Sequence, residues 1–281
     1  MMDIDKSIEE VKNFSKYVES NIYYDKIYFG SNECLEELFK NFSVKDKDVL
    51  TVLASSDQLF YSYDRGAKKV DTFDINVLTK YYYYIRKWSI EYLDCYYADK
   101  ENVIYNHSFI GELLKLVECG SNEEKEAYIF WSNYIRKVSP LENKSLYFYV
   151  ESMEYNGIKD LSNVRKAIKN KLNFINQDIT GDIDKSCKYD VIILSNILEY
   201  YGESMIHLAN CRDNLYSILN DDGIVVCSHI MDQEGDNDKE KNIFSKKFDS
   251  YEFPKYSKEY ILGGEVSSGY CYKKRMSTKN S

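Results

Sequence analysis

Four short apolar runs in this sequence each give way at once to residues that can bind or react. The run at 48–53, DVLTVL, leads into Ala54, Ser55, Ser56, Asp57 and Gln58, and the run at 69–73 leads into Asp74, Ile75 and Asn76. A third, KLNFINQDI at 171–179, ends on Asp178 and Ile179, and YDVIILSN at 189–196 ends on Ser195 and Asn196. Asp74 follows Ala54 at about 20 residues, the spacing between a nucleoside-binding turn and its ribose-binding acid. A carboxylate suits that role because it accepts hydrogen bonds from both ribose hydroxyls. The competing role for Asp74 is to cap the helix that follows it. Asp178 would accept from an adenine amino group, and its alternative is an ordinary turn residue. Glu199, Tyr200 and Tyr201, just past the fourth run, are the candidates for a catalytic base, with an inward-packed helix start as the alternative.

These residues need a scaffold that brings strand ends together. The runs are near-continuously apolar, as expected of parallel strands covered on both faces. Helical patterns separate them: 77–97, VLTKYYYYIRKWSIEYLDCYY; 107–118; 122–138; and 204–219. Strands alternating with helices predict an α/β, doubly wound, mostly parallel sheet with right-handed crossovers. In such a sheet ligands bind outside the carboxyl ends of the strands, where the four polar exits lie. The stretch from about 98 to 165 lacks strand signals and reads as a helical insert, placed in chain order to fold over the strand ends as a lid. Residues 1–43 read as a helical extension, with Gly30 breaking an aromatic connector, and 44–281 as the main domain. Asn220-Asp221-Asp222-Gly223 reads as a turn into a strand at 224–230, and 232–242 as a charged mobile loop. The alternating EVSSGYCYKKR at 265–275 reads as a terminal edge strand.

Composition narrows the classes. The 281 residues carry 37 Lys+Arg against 46 Asp+Glu, a net charge of −9, which weighs against nucleic acid as the main partner. No apolar run approaches the ~18–20 residues of a membrane-spanning helix. Seven scattered cysteines without metal-ligand spacing read as reduced thiols in a cytoplasmic setting. His107, His207 and His229 form no metal pattern. The sequence has no GxSxG, Walker-type or HExxH motif. Of its 28 tyrosines, Tyr81 to Tyr84 are consecutive, and in a helix they point about 100° apart, so packing explains them better than a stacking platform.

The segments DVLTVLASSDQL, VDTFDIN, LNFINQDIT, YDVIILSNILEYYG and LNDDGIVVCSHI, in this order, resemble the class I S-adenosylmethionine-dependent methyltransferase superfamily. The resemblance covers about 44–75 and 170–275. It implies a seven-stranded Rossmann-like sheet whose last strand runs against the others, with S-adenosyl-L-methionine as cofactor. It also implies ribose binding by Asp74, adenine binding by Asp178, Ser55 and Asp57 beside the methionine portion, and Ser195 and Asn196 in the reaction cleft. Ala54, Ser56, Ile75, Asn76 and Ile179 complete the expected cofactor-binding set. VLTVLASSDQLFYSYDRGAKKVDTFDIN is also similar to the aminocarboxypropyltransferases that build betaine lipids, which implies a small-molecule or lipid-like acceptor. The superfamily's first turn is usually glycine-rich so that backbone can pass close to the cofactor, whereas ASSDQ has no glycine. Two readings follow: an altered binding loop, or a degenerate protein that has lost cofactor binding; the alternative to a transferase is a non-catalytic adenosyl-ligand-binding or interaction protein on the same fold.

Overall fold

The apolar runs form the centre of one large sheet in a computed structural model. It describes residues 26–28, 31, 33–94, 107–138, 147–149, 158, 160–181, 183–201, 204–229, 236–253, 256–257 and 266–275. The strands are β1 Lys26–Tyr28, β2 Asp48–Val52, β3 Lys69–Phe73, β4 Tyr147–Tyr149, β5 Asn173–Ile175, β6 Tyr189–Ile193, β7 Leu219–His229, β8 Phe248–Glu252, β9 Tyr256–Ser257 and β10 Val266–Lys274. The helices are α1 Leu35–Leu38, α2 Asp57–Asp64, α3 Val77–Tyr92, α4 His107–Leu114, α5 Asn122–Val138, α6 Ser162–Ala167, α7 Ile197–Tyr201, α8 Met205–Ile218 and α9 Asp236–Phe244.

The main sheet runs in the order β5-β3-β2-β6-β7-β10-β8, with β9 pairing the start of β10. Pairs from β5 through β7 are parallel, and β10 is antiparallel to both neighbours. The architecture is therefore α/β, doubly wound and Rossmann-like, as the sequence predicts. The strand order reverses between β2 and β6, the position beyond whose carboxyl ends doubly wound sheets bind their ligands.

Alternation along the strands divides the core between the two faces of the sheet. Val49, Val191, Ile193 and Val226 face a layer that includes α2, α3 and the insert helices. Leu50, Val52, Ile192, Leu194, Val225 and Cys227 face α7, α8 and α9. The face carrying α3 explains the tyrosines. Tyr81, Tyr82, Tyr83 and Tyr84 are all buried, because the helix has the sheet on one side and α4 and α5 on the other. Tyr81 stacks on Phe130 of α5 with centroids 4.3 Å apart, and the Trp131 indole N–H donates to the Tyr81 carbonyl at 2.9 Å.

Several sequence expectations change. β10 lies between β7 and β8 rather than at an edge: alternation marks a strand but does not give its place in the sheet. Residues 220–223 do not end a strand; they bulge within β7, where Leu219 pairs with Tyr189 and Ile224 already pairs with Val191. A Cβ on Gly223 would lie 2.6 Å from a Leu219 methyl carbon and 3.1 Å from the Tyr189 carbonyl oxygen, so the bulge needs glycine there. The charged segment expected to be a loop contains α9, anchored by buried Glu240, Ile243 and Phe244. Among the described residues of the extension, 26–28 are strand and only Leu35–Leu38 are helix; residues 1–25 lie outside the described set. The insert contains a short strand, β4, parallel to β1. Its helices α4 and α5 pack on α3 and on each other.

Candidate active site

Asp74 stands at the end of β3 and holds two loops together. Its Oδ2 accepts from the Ala54 N–H at 2.9 Å and its Oδ1 from the Asn76 N–H at 2.9 Å. The helix cap is a different residue: the Asn76 side chain accepts from the Leu78 N–H at 3.0 Å. The capping alternative for Asp74 is thus removed, and the carboxylate instead ties the β2 exit to the β3 exit. Burial pushes the Asp74 carboxyl up to about 6, against the pull of the two amide donors. Asn176, after β5, donates from its side-chain amide to the Asp74 carbonyl at 2.9 Å and to that of Ile75 at 3.1 Å.

The first turn takes a glycine-like path without glycine. Ala54 has φ 39° and Ser56 φ 72°, both in the left-handed region. Each costs roughly 1–2 kcal/mol for a residue with a Cβ. Side-chain bonds hold the turn in place. The Arg86 guanidinium, reaching from α3, donates to the Ser55 carbonyl at 2.8 Å and to Asp57 Oδ1 at 3.0 Å. The Ser55 hydroxyl donates to Asp57 Oδ2 at 2.7 Å, and the Ser31 N–H donates to the same oxygen at 2.6 Å. Gln58 donates to Glu33 at 2.6 Å, adding a second link to the segment before α1. Ser55, Ser56, Asp57 and Arg86 have no solvent exposure. Both the Ser55 hydroxyl and the Arg86 guanidinium bond the Asp57 carboxylate. Ala54 remains half-exposed.

Two further strand ends complete the cleft rim. At the end of β6, Ser195 has φ 56°, and its carbonyl accepts from the Ser228 N–H of β7 at 3.0 Å. Its hydroxyl lies 3.4 Å from Asn196 Oδ1. Beyond β5, Asp178 is half-buried, and its Oδ1 accepts from the Thr180 N–H at 2.8 Å and the Tyr201 hydroxyl at 2.5 Å. Ile179 is buried, and its carbonyl accepts from the Asn214 side-chain amide of α8 at 3.2 Å. Glu199 is half-buried on α7; the side chain of Tyr200 lies outside the described set.

Ala54, Asp74, Ile75, Asn76, Asp178, Ser195 and Asn196 thus all sit at the exits of the central parallel strands. Arg86, Ser31, Glu33 and Asn176 carry no site signal in the sequence, and Tyr201 stands there only as a base candidate, not as a partner of Asp178. Arg86 looks in sequence like one basic residue in an aromatic helix, and no spacing rule connects it to a turn 31 residues earlier. Among the described residues no group of His, Cys, Asp and Glu is arranged to hold a metal ion. The six described cysteines are free, and no described helix is long and apolar enough to cross a membrane.

No family model matches the chain, and no curated protein matches it. Among solved structures, it is similar to a methyltransferase from Pyrococcus furiosus, with 12% identity and a TM-score of 0.46 over 97% of this chain and 98% of that one. It is similar to the N-methyltransferase NodS from Bradyrhizobium japonicum WM9 in complex with S-adenosyl-L-homocysteine, with 8% identity, a TM-score of 0.43, and 86% and 84% of the two chains covered. A third is the 1,6-didemethyltoxoflavin-N1-methyltransferase of Burkholderia thailandensis, at 8% identity and a TM-score of 0.42 over 85% and 75% of the two chains. The fold assignment above rests on strand order, and no site residue is taken from these proteins.

Proposed function

We propose that the chain is an S-adenosylmethionine-dependent transferase that moves a methyl or 3-amino-3-carboxypropyl group to a small-molecule or lipid-like acceptor. The observation that carries this reading is Asp74: a desolvated carboxylate at the β3 exit, tied to the β2 turn beside the switch in strand order. The residues fit the nucleoside part of the cofactor. Asp74 would meet the ribose hydroxyls and Asp178 the adenine amino group, with Oδ2 of Asp178 clear of the two donors that bond Oδ1. Ala54, Ile75 and Asn76 would flank the nucleoside, while Ser195 and Asn196 would face the reacting end. The cofactor supplies an activated sulfonium carbon, so the chain's task is to align the acceptor and exclude water. Glu199 would take a proton if the acceptor must lose one.

A second reading has its own support. The Ser55–Asp57 turn is fully enclosed, which favours an adenosyl-ligand binder without transfer activity. Incubation with S-adenosylmethionine and amine or lipid acceptors separates these outcomes. Release of S-adenosylhomocysteine marks methyl transfer, and release of 5′-methylthioadenosine marks transfer of the aminocarboxypropyl arm. Binding without either product supports the non-catalytic reading. Absence of binding overturns both.

A further inference from the structure

Tyr201 is the last residue of α7, the five-residue helix that begins just after Ser195-Asn196. It is buried, and its hydroxyl reaches across to Asp178, a residue that belongs to the β5 exit on the far side of β2 and β3. The hydroxyl donates to Oδ1 at 2.5 Å. The Thr180 N–H converges on the same oxygen. The turn beneath is held as well: the Gly181 N–H donates to the Asp178 carbonyl at 2.9 Å, and Asn214 donates to the Gly181 carbonyl at 2.6 Å. Tyr201 itself is fixed from behind, since its carbonyl accepts from the Ser204 N–H at 2.9 Å and its ring lies 6.1 Å from that of His207.

Both donors meet Oδ1, and neither of them occupies Oδ2. We propose that Tyr201 is a positioning residue for base recognition: by fixing Asp178 it makes the cleft select a purine bearing an exocyclic amino group over one bearing a keto group. A keto oxygen opposite Oδ2 would face an acceptor with another acceptor, leaving both unpaired. The bond also joins the base-binding exit to α7, the helix that borders Ser195 and Asn196. This inference rests on the nucleoside-binding reading above.

The test is calorimetric titration of the full chain with S-adenosylhomocysteine and S-inosylhomocysteine, which differ at that amino group. The wild type is expected to prefer the adenine compound. Tyr201→Phe keeps the ring and removes the hydroxyl; it is expected to weaken S-adenosylhomocysteine about tenfold while leaving S-inosylhomocysteine unchanged. A purely structural role would weaken both alike, and that result overturns the proposal, as does unchanged discrimination in Tyr201→Phe. Asp178→Asn, with folding checked by circular dichroism, is expected to abolish the preference. If Asp178→Asn abolishes it and Tyr201→Phe does not, the positioning role fails while the nucleoside reading stands. If the wild type binds neither compound, the nucleoside reading fails and this inference falls with it.

Discussion

Replacing Arg86 tests how a turn without glycine is held in a glycine-like path. Arg86 and Asp57 are both fully buried, 3.0 Å apart, and the guanidinium also bonds the Ser55 carbonyl. Arg86→Ala removes the cation from the buried Asp57 carboxylate, which keeps its Ser55 and Ser31 donors. Removing one partner of a buried pair costs about 3–5 kcal/mol. The guanidinium also lies over the rings of Phe60 and Tyr82, at 5.3 and 6.0 Å, so packing is lost as well. In urea denaturation at neutral pH the single variant should lose about 3–5 kcal/mol, with a fall in Tm on the order of 10 °C. Asp57→Leu should cost a comparable amount because it strands the cation. In the double variant Arg86→Met with Asp57→Leu, much of the loss should be recovered, since apolar replacement of a buried pair is often close to neutral. A loss below about 1 kcal/mol for Arg86→Ala would refute the claim that this pair holds the turn, because that is the level of an exposed ion pair.

Other outcomes follow from the same geometry. Ser56→Gly should raise stability by about 1 kcal/mol in the same denaturation assay, since it relieves a left-handed residue and removes a buried hydroxyl without a partner. The binding of S-adenosylhomocysteine should weaken as pH falls through about 6, where Asp74 takes up a proton and loses acceptor capacity; titrations from pH 8 to 5 check this. The sign for folding is the reverse. A carboxyl raised from 3.8 to about 6 favours its protonated form in the native state, so its penalty on the ligand-free fold grows between those pH values and is full above them. Ligand-free Asp74→Asn should accordingly show a flatter stability profile between pH 4 and 6 in thermal melts. Gly223→Ala should destabilise measurably by pressing on Leu219 and Tyr189, also read from thermal melts.

Much of the scaffold is legible in the sequence because the central strands are short, apolar and followed by polar residues. The second strand ends at Phe73 and α5 spans 122–138, both as read from the residues. Acidic residues opening that helix and Pro140 after it made its limits visible. At the periphery the sequence misleads for one reason: composition does not show what will cover a segment. The alternation of β10 could not reveal that β8 would flank it. The run of charges at 232–242 obscured the buried side of α9, and Asn-Asp-Asp-Gly looked like a chain reversal when it bulges a continuing strand. At the site, Asp74 and Asp178 were legible because strand ends follow from runs of residues. The supports were not: Arg86 and Tyr201 act at distances of 29 and 23 residues through side chains whose directions only the packed fold sets. The absence of glycine in the first turn marked a real departure, and its structural counterpart is a strained, enclosed turn held by an ion pair.

Titration of the wild-type chain and Asp74→Asn with S-adenosylhomocysteine, under matched conditions and with folding verified, tests the central claim most directly. Binding by the wild type with a loss of about tenfold or more in the variant is the expected result. Failure of the wild type to bind at about 1 mM, or equal affinity of the two proteins, would contradict it.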